Sequence, residues 1–107
     1  MSTAAFIQDQ TEFEALRVNT PLLVVDCTAT WCGPCKVIAP FIDQLAANYG
    51  DRAKVMKIDI DANKPLAKQF GLKSIPAVLF FKEGELVETI IGVKTYEDFS
   101  STIDKYL

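Results

Sequence analysis

The chain has 107 residues, half of them apolar, with 11 basic and 14 acidic side chains and a formal net charge of −3. This is the length of one domain that buries an ordinary core without added staples, and residues 1–107 read as a single domain. No block of Lys and Arg marks a nucleic-acid face, and the opening MSTAAFIQDQTEFEALR has neither the basic start nor the apolar stretch of a secretory leader or membrane span.

Residues 4–7 predict a short edge strand. Asp9 with Glu12 three positions on has the spacing of a capping box, and Phe13 and Leu16 would bury one side of the helix that follows. Asn19, Thr20 and Pro21 end it. The run LLVVDCT, residues 22–28, is almost continuously apolar, as in a central strand covered on both faces. After a cysteine-containing loop, Val37, Ile38, Phe41, Ile42, Leu45 and Tyr49 recur at intervals of three and four, and Gly50 is a natural stop. Pro40 lies inside this helix and is expected to kink it rather than break it.

AKVMKIDI, residues 53–60, predicts a second central strand. Pro65 suits the first turn of a helix carrying Leu66, Ala67 and Phe70 and closed by Gly71. IPAVLFF reads as a third strand, KEGE as a tight turn with Gly84 at positive φ, and LVETIIG as its hairpin partner. Thr95 and Asp98 form another capping-box pair, before a last helix expected to bury Phe99, Ile103 and Leu107. The order predicts an α/β three-layer sandwich, a central mixed sheet with helices on both faces. No glycine-rich phosphate loop is present.

The chemistry is concentrated in WCGPCK, residues 31–36. A metal clip, a structural disulfide and a reactive dithiol are the three readings of Cys32 and Cys35. Structural zinc and iron–sulfur centres generally take four ligands, whereas this chain has no His and one other cysteine, Cys27. Only a dimer with paired CxxC motifs could supply four thiolates. A disulfide across two residues closes too small a loop to constrain the unfolded chain much. For a reactive dithiol the placement is apt: Cys32 falls at the carboxyl end of a central strand and the start of a helix. There, unpaired N–H groups and the helix dipole favour a thiolate, the attacking species. Cys35, one turn later, can attack a mixed disulfide at Cys32. Pro34 is acceptable in a first turn, where its missing donor is not needed.

WCGPCK, preceded by Val25-Asp26 and followed by Ile75-Pro76, resembles the thioredoxin family, and the similarity spans essentially the whole chain. The resemblance implies a thioredoxin-like fold and a protein-disulfide reductase and dithiol electron carrier with no cofactor or metal of its own. It implies an exposed nucleophile at Cys32, a buried resolving thiol at Cys35, and Asp26 as the proton acceptor for Cys35. Burial of Asp26 would raise its pKa toward the range of a general base. Gly33 and Pro34 would set the poise of the dithiol, and Lys57 would modulate Asp26. Pro76 would be cis, which also accounts for a proline in an otherwise apolar strand. Trp31, Ile75, Pro76, Gly92 and Val93 would receive an extended target chain.

The implied partners are a separate reductase, NADPH- or ferredoxin-linked, and disulfide-containing proteins. The chain is expected to be monomeric, in the cytoplasm or an organelle stroma, with no nucleic acid or membrane partner. The other class considered is a redox-independent binding subunit using the apolar patch around the motif. Three positions depart from the family pattern. Cys27 and Thr28 stand where Phe and Trp are usual, and Ala77 follows Pro76 where Thr is common. Thr28 predicts a looser or differently packed active-site loop and a shifted redox poise. Cys27 shares strand parity with Leu23 and Val25, which makes it a core thiol pointing away from Asp26; a regulatory third thiol is the other reading.

Overall fold

Leu22 to Cys27, apolar but for Asp26, are all buried, so the chain covers both faces of this strand. The computed structural model describes residues 3–107. In chain order it comprises β1 (Ala5–Ile7), α1 (Gln10–Asn19), β2 (Leu22–Thr28), α2 (Gly33–Tyr49), β3 (Lys54–Asp59), α3 (Lys64–Gln69), β4 (Ala77–Lys82), β5 (Glu85–Ile91) and α4 (Tyr96–Tyr106). The sheet order is β1-β3-β2-β4-β5. β3 pairs in parallel with β1 and β2, and β4 runs antiparallel to β2 and β5. The parallel pairs require helical crossovers, which α1 and α2 supply.

Strand alternation divides the core in two. On one face Leu22, Val24, Val55, Val78 and Phe80 meet Ile38, Ile42, Phe99 and Ile103 of α2 and α4. On the other, Leu23, Val25, Cys27, Ile58, Leu79 and Phe81 meet Phe13 and Leu66 of α1 and α3. Three edge-to-face contacts join Phe13, Phe70 and Phe81, the arrangement that sets the positive edge of one ring against the face of the next. The three layers are those the sequence predicts.

Local details refine the expectations. Asp9 caps α1 by accepting from the Glu12 N–H, but Glu12 reaches back to the Gln8 N–H, so a reciprocal box does not close. At α4 both halves of the box between Thr95 and Asp98 are present. α2 runs unbroken through Pro40. Val37 is exposed, because its neighbour Ile38 already occupies the core-facing stripe. Leu107 is exposed too, since it lies beyond the last turn of α4, and Phe70 caps α3 rather than extending it. The β4–β5 turn has two positive-φ residues, Glu83 and Gly84, the requirement of a type I′ hairpin. No helix among the described residues is long and apolar enough to cross a membrane.

Candidate active site

β2 ends at Thr28 and α2 begins at Gly33, so the four residues between them turn the chain from the sheet into a helix. The Cys32 N–H donates to the Ala29 carbonyl oxygen at 3.2 Å, closing that turn. Cys32 is then the N-cap of α2, and its Sγ accepts from the Cys35 N–H at 3.2 Å. A sulfur thus takes the place usually held by a capping oxygen, satisfying one of the donors that a helix start leaves unpaired. Pro34 sits in the first turn. A side chain at Gly33 would meet nothing within 4 Å, so close packing does not account for this glycine.

Cys32 and Cys35 are joined as a disulfide, with Cα atoms 5.3 Å apart, and Cys27 is free. The expectation of an exposed Cys32 and a buried Cys35 is corrected here. In this oxidised form the two are 3 % and 2 % exposed, because Ala29, Ile60 and Ile75 close around the pair. The Ile75–Pro76 peptide is cis, as expected. Pro76 itself is buried, so of this dipeptide the half-buried Ile75 is the one that reaches the surface.

The remaining target-facing candidates separate. Trp31, 67 % exposed, and Ile75 line one groove with Ile60, Leu72, Lys73 and Ser74, about 350 Å³ in volume. Gly92 and Val93 follow the end of β5 and do not line it. Gly92, at φ +94°, is instead tied to the site by its N–H, which donates to the Pro76 carbonyl oxygen at 2.9 Å. The Trp31 indole N–H donates to Asp61 at 2.7 Å. Asp61 was not singled out from the sequence, where it is one of two aspartates at the end of β3 and in the turn after it.

Behind the disulfide lies a cavity of about 200 Å³, lined by Phe6, Asp26, Thr28, Cys35, Ala39 and Lys57 among others. Asp26 is 1 % exposed, and its Oδ1 has no hydrogen-bond partner. Burial pushes its pKa up to about 7, with Lys57 pulling it down and Asp43 adding to the rise. Lys57 lies opposite Asp26 in the β2–β3 register, yet its ammonium is 2.8 Å from Asp43 Oδ1. Asp43 is a second residue that sequence reasoning missed. Its position on α2, eight residues after Cys35 in the same helical row, was the available signal. Thr28 is half-buried beside this cavity, where its small side chain leaves space open.

Cys27, next to Asp26, points into the other core. It is fully buried, and burial, with a smaller contribution from the Asp26 charge, pushes its thiol up to about 12. Ala77 is fully buried at its side, paired with it across β2 and β4.

The thioredoxin family model matches residues 4–105. The chain belongs to the thioredoxin family. It is 42 % identical to thioredoxin 1 of Synechococcus elongatus, with all of both chains covered. Among solved structures, a Plasmodium falciparum thioredoxin superposes with a TM-score of 0.89 at 30 % identity, covering 97 % of this chain and all of that one. The oxidised form of mitochondrial thioredoxin 3 from Saccharomyces cerevisiae gives 0.86 at 31 %, covering 95 % of this chain and 94 % of that one. Family membership and the bonded pair at Cys32 and Cys35 make the chain an oxidoreductase and electron carrier that works by thiol–disulfide exchange, with other redox-active proteins as its partners.

Proposed function

We propose that this thioredoxin-family protein runs the exchange in the reducing direction, as a general protein-disulfide reductase. The carrying observation for the direction is the Gly33-Pro34 pair between the cysteines, which favours reduction, while the capping contact, in which a helix-terminal N–H is aimed at Cys32 Sγ, supports Cys32 as the attacking sulfur. In the reduced protein that donor and the aligned peptide dipoles favour a thiolate at Cys32. The Cys32 thiolate attacks one sulfur of a target disulfide, forming a mixed disulfide and expelling the first target thiolate. Asp26 takes the proton from Cys35 through their shared cavity. The Cys35 thiolate then attacks Cys32 Sγ and releases the second target thiolate. Two electrons pass to the target, and the Cys32–Cys35 disulfide remains.

In this reading Trp31 and Ile75 present an apolar groove to an extended target, while Pro76, Gly92 and Val93 shape the corner beside it. Lys57 tunes Asp26, and Gly33 and Pro34 set the geometry between the sulfurs. The electrons come from a separate reductase, NADPH- or ferredoxin-linked, in a reducing compartment such as the cytoplasm or an organelle stroma.

Reduction of insulin disulfides, driven by a small dithiol, tests the proposal. Wild type is expected to accelerate precipitation of the insulin B chain, and Cys32→Ser to fall to the uncatalysed rate. An inactive wild type overturns the reductase reading. Retention of cellular function by Cys32→Ser favours the redox-independent binding subunit, whose physical basis would be the exposed Trp31 face.

A further inference from the structure

We propose that Asp43 is a positioning residue for the exchange reaction: by holding the Lys57 ammonium on its own carboxylate, it keeps the carboxylate of Asp26 unpaired and free to accept a proton. The proposal rests on the reading of Asp26 as the acceptor for Cys35.

In a parallel pair, residues in register share a face, so Lys57 and Asp26 stand side by side on the α2 face of the sheet. A buried carboxylate with an ammonium on the adjoining strand would ordinarily form an ion pair and become a weak base. Here the ammonium has gone elsewhere. Lys57 Nζ lies 2.8 Å from Asp43 Oδ1, and Asp26 Oδ1 has no partner. The ion pair is not a loose surface contact, because the Lys57 side chain is only 13 % exposed. The same Asp43 oxygen accepts the Ala4 N–H at 3.0 Å. The Phe6 ring centroid lies 5.8 Å from the ammonium, within reach of a cation–π contact. Asp43 is therefore fixed by a donor from the start of the chain, and Lys57 by a carboxylate and a ring.

Cys35, Ala39 and Asp43 follow one another at intervals of four on α2, so one helical row carries the resolving thiol, a cavity wall and the counter-charge. The ionisable groups around Asp26 are Lys57 and Asp59 from β3 and Cys35, Lys36 and Asp43 from α2. β4 contributes only Val78 opposite it, and Cys27 points to the other face. Among these, Lys57 is the cation that lowers Asp26, and Asp43 is the anion that raises it. Removing the Asp43 charge frees the lysine to turn to Asp26.

The test compares Asp43→Asn with Asp43→Glu by two readouts. The first is the carboxyl ¹³C titration of Asp26 in the oxidised protein. Asp43→Asn is expected to move its midpoint down by about one pH unit, a tenfold change in proton affinity, and Asp43→Glu to restore the wild-type value. Lys57→Met, as the converse, should move the midpoint up. An unmoved midpoint in Asp43→Asn overturns the proposal, as does an equal fall in Asp43→Glu.

The second readout is the release of the second coloured thiolate from an aromatic disulfide in a single turnover, which reports Cys35. The acid limb of its pH profile should move with the carboxyl midpoint. Asp43→Asn added to Asp26→Asn should leave that profile where Asp26→Asn alone puts it. If Asp26→Asn has no effect on release, the acceptor reading fails, while the titration still reports where Lys57 is held.

Discussion

Asp26 and Cys27 are consecutive on β2, both essentially inaccessible and both raised by burial, yet only Asp26 lines the cavity beside the disulfide. Strand alternation turns Asp26 toward α2, where it shares a cavity with Cys35, and turns Cys27 into apolar packing beneath α1 and α3. Burial alone therefore does not make a functional group. What separates the two is whether the buried atom opens onto space shared with a reacting partner, and the pleat of one strand decides that between neighbours.

The sharpest break between the cysteines is expected in turnover. Cys32→Ser should abolish insulin reduction, while Cys27→Ala should leave it at the wild-type rate. Iodoacetamide should modify Cys27 in the reduced native protein only as fast as the protein unfolds, because a thiol held near 12 and sealed from solvent offers no thiolate. Rapid native alkylation of Cys27, mapped by mass spectrometry, would dissolve the distinction.

Next in size is the stability effect of Asp26. Its pKa is about 7 in the fold against an ordinary 3.8. Between these values the folded protein keeps a proton that the unfolded chain has released, so stability falls as pH rises through the window and levels off above it. The interval corresponds to at most about 4 kcal/mol. Denaturant titrations should find Asp26→Asn more stable than wild type by up to that amount at pH 8, with the gain fading toward pH 4. A pH-independent difference would show that the carboxylate is not held against its charge. Asn should also slow release of the target by Cys35.

On the other face of β2, Cys27→Ser places a hydroxyl in an apolar core and should cost about 1–3 kcal/mol at every pH below the thiol range, with exchange unaffected. The smallest effect is reserved for Thr28. Thr28→Trp should fill space beside Asp26 and shift the equilibrium with a reference dithiol; identical equilibria would show that the cavity does not influence the redox poise.

Much of this is legible in the sequence. LLVVDCT coincides with β2 because a strand covered on both sides has little polar alternation to obscure its limits. The CGPC dithiol was likewise readable through a specific motif, and Asp26 drew notice as a charge in an apolar run, its expected role coming from the family resemblance. The parts that were not legible depend on distant segments meeting. The cover over Cys32 comes from Ile60 and Ile75, which lie 28 and 43 residues downstream by their numbering. Asp43 becomes informative only once β3 brings Lys57 beneath α2, and Asp61 only once Trp31 swings over to it. Val37 misled for a different reason: a periodic apolar set can include more residues than the buried stripe accommodates.

Trp31 is the chain's single tryptophan, and its indole N–H is anchored to a carboxylate beside the groove that it lines with Ile75. The protein consequently carries its own optical gauge. Any polypeptide that settles against the disulfide must disturb the environment of this one fluorophore, so docking and chemistry can be timed separately by emission without attaching a label.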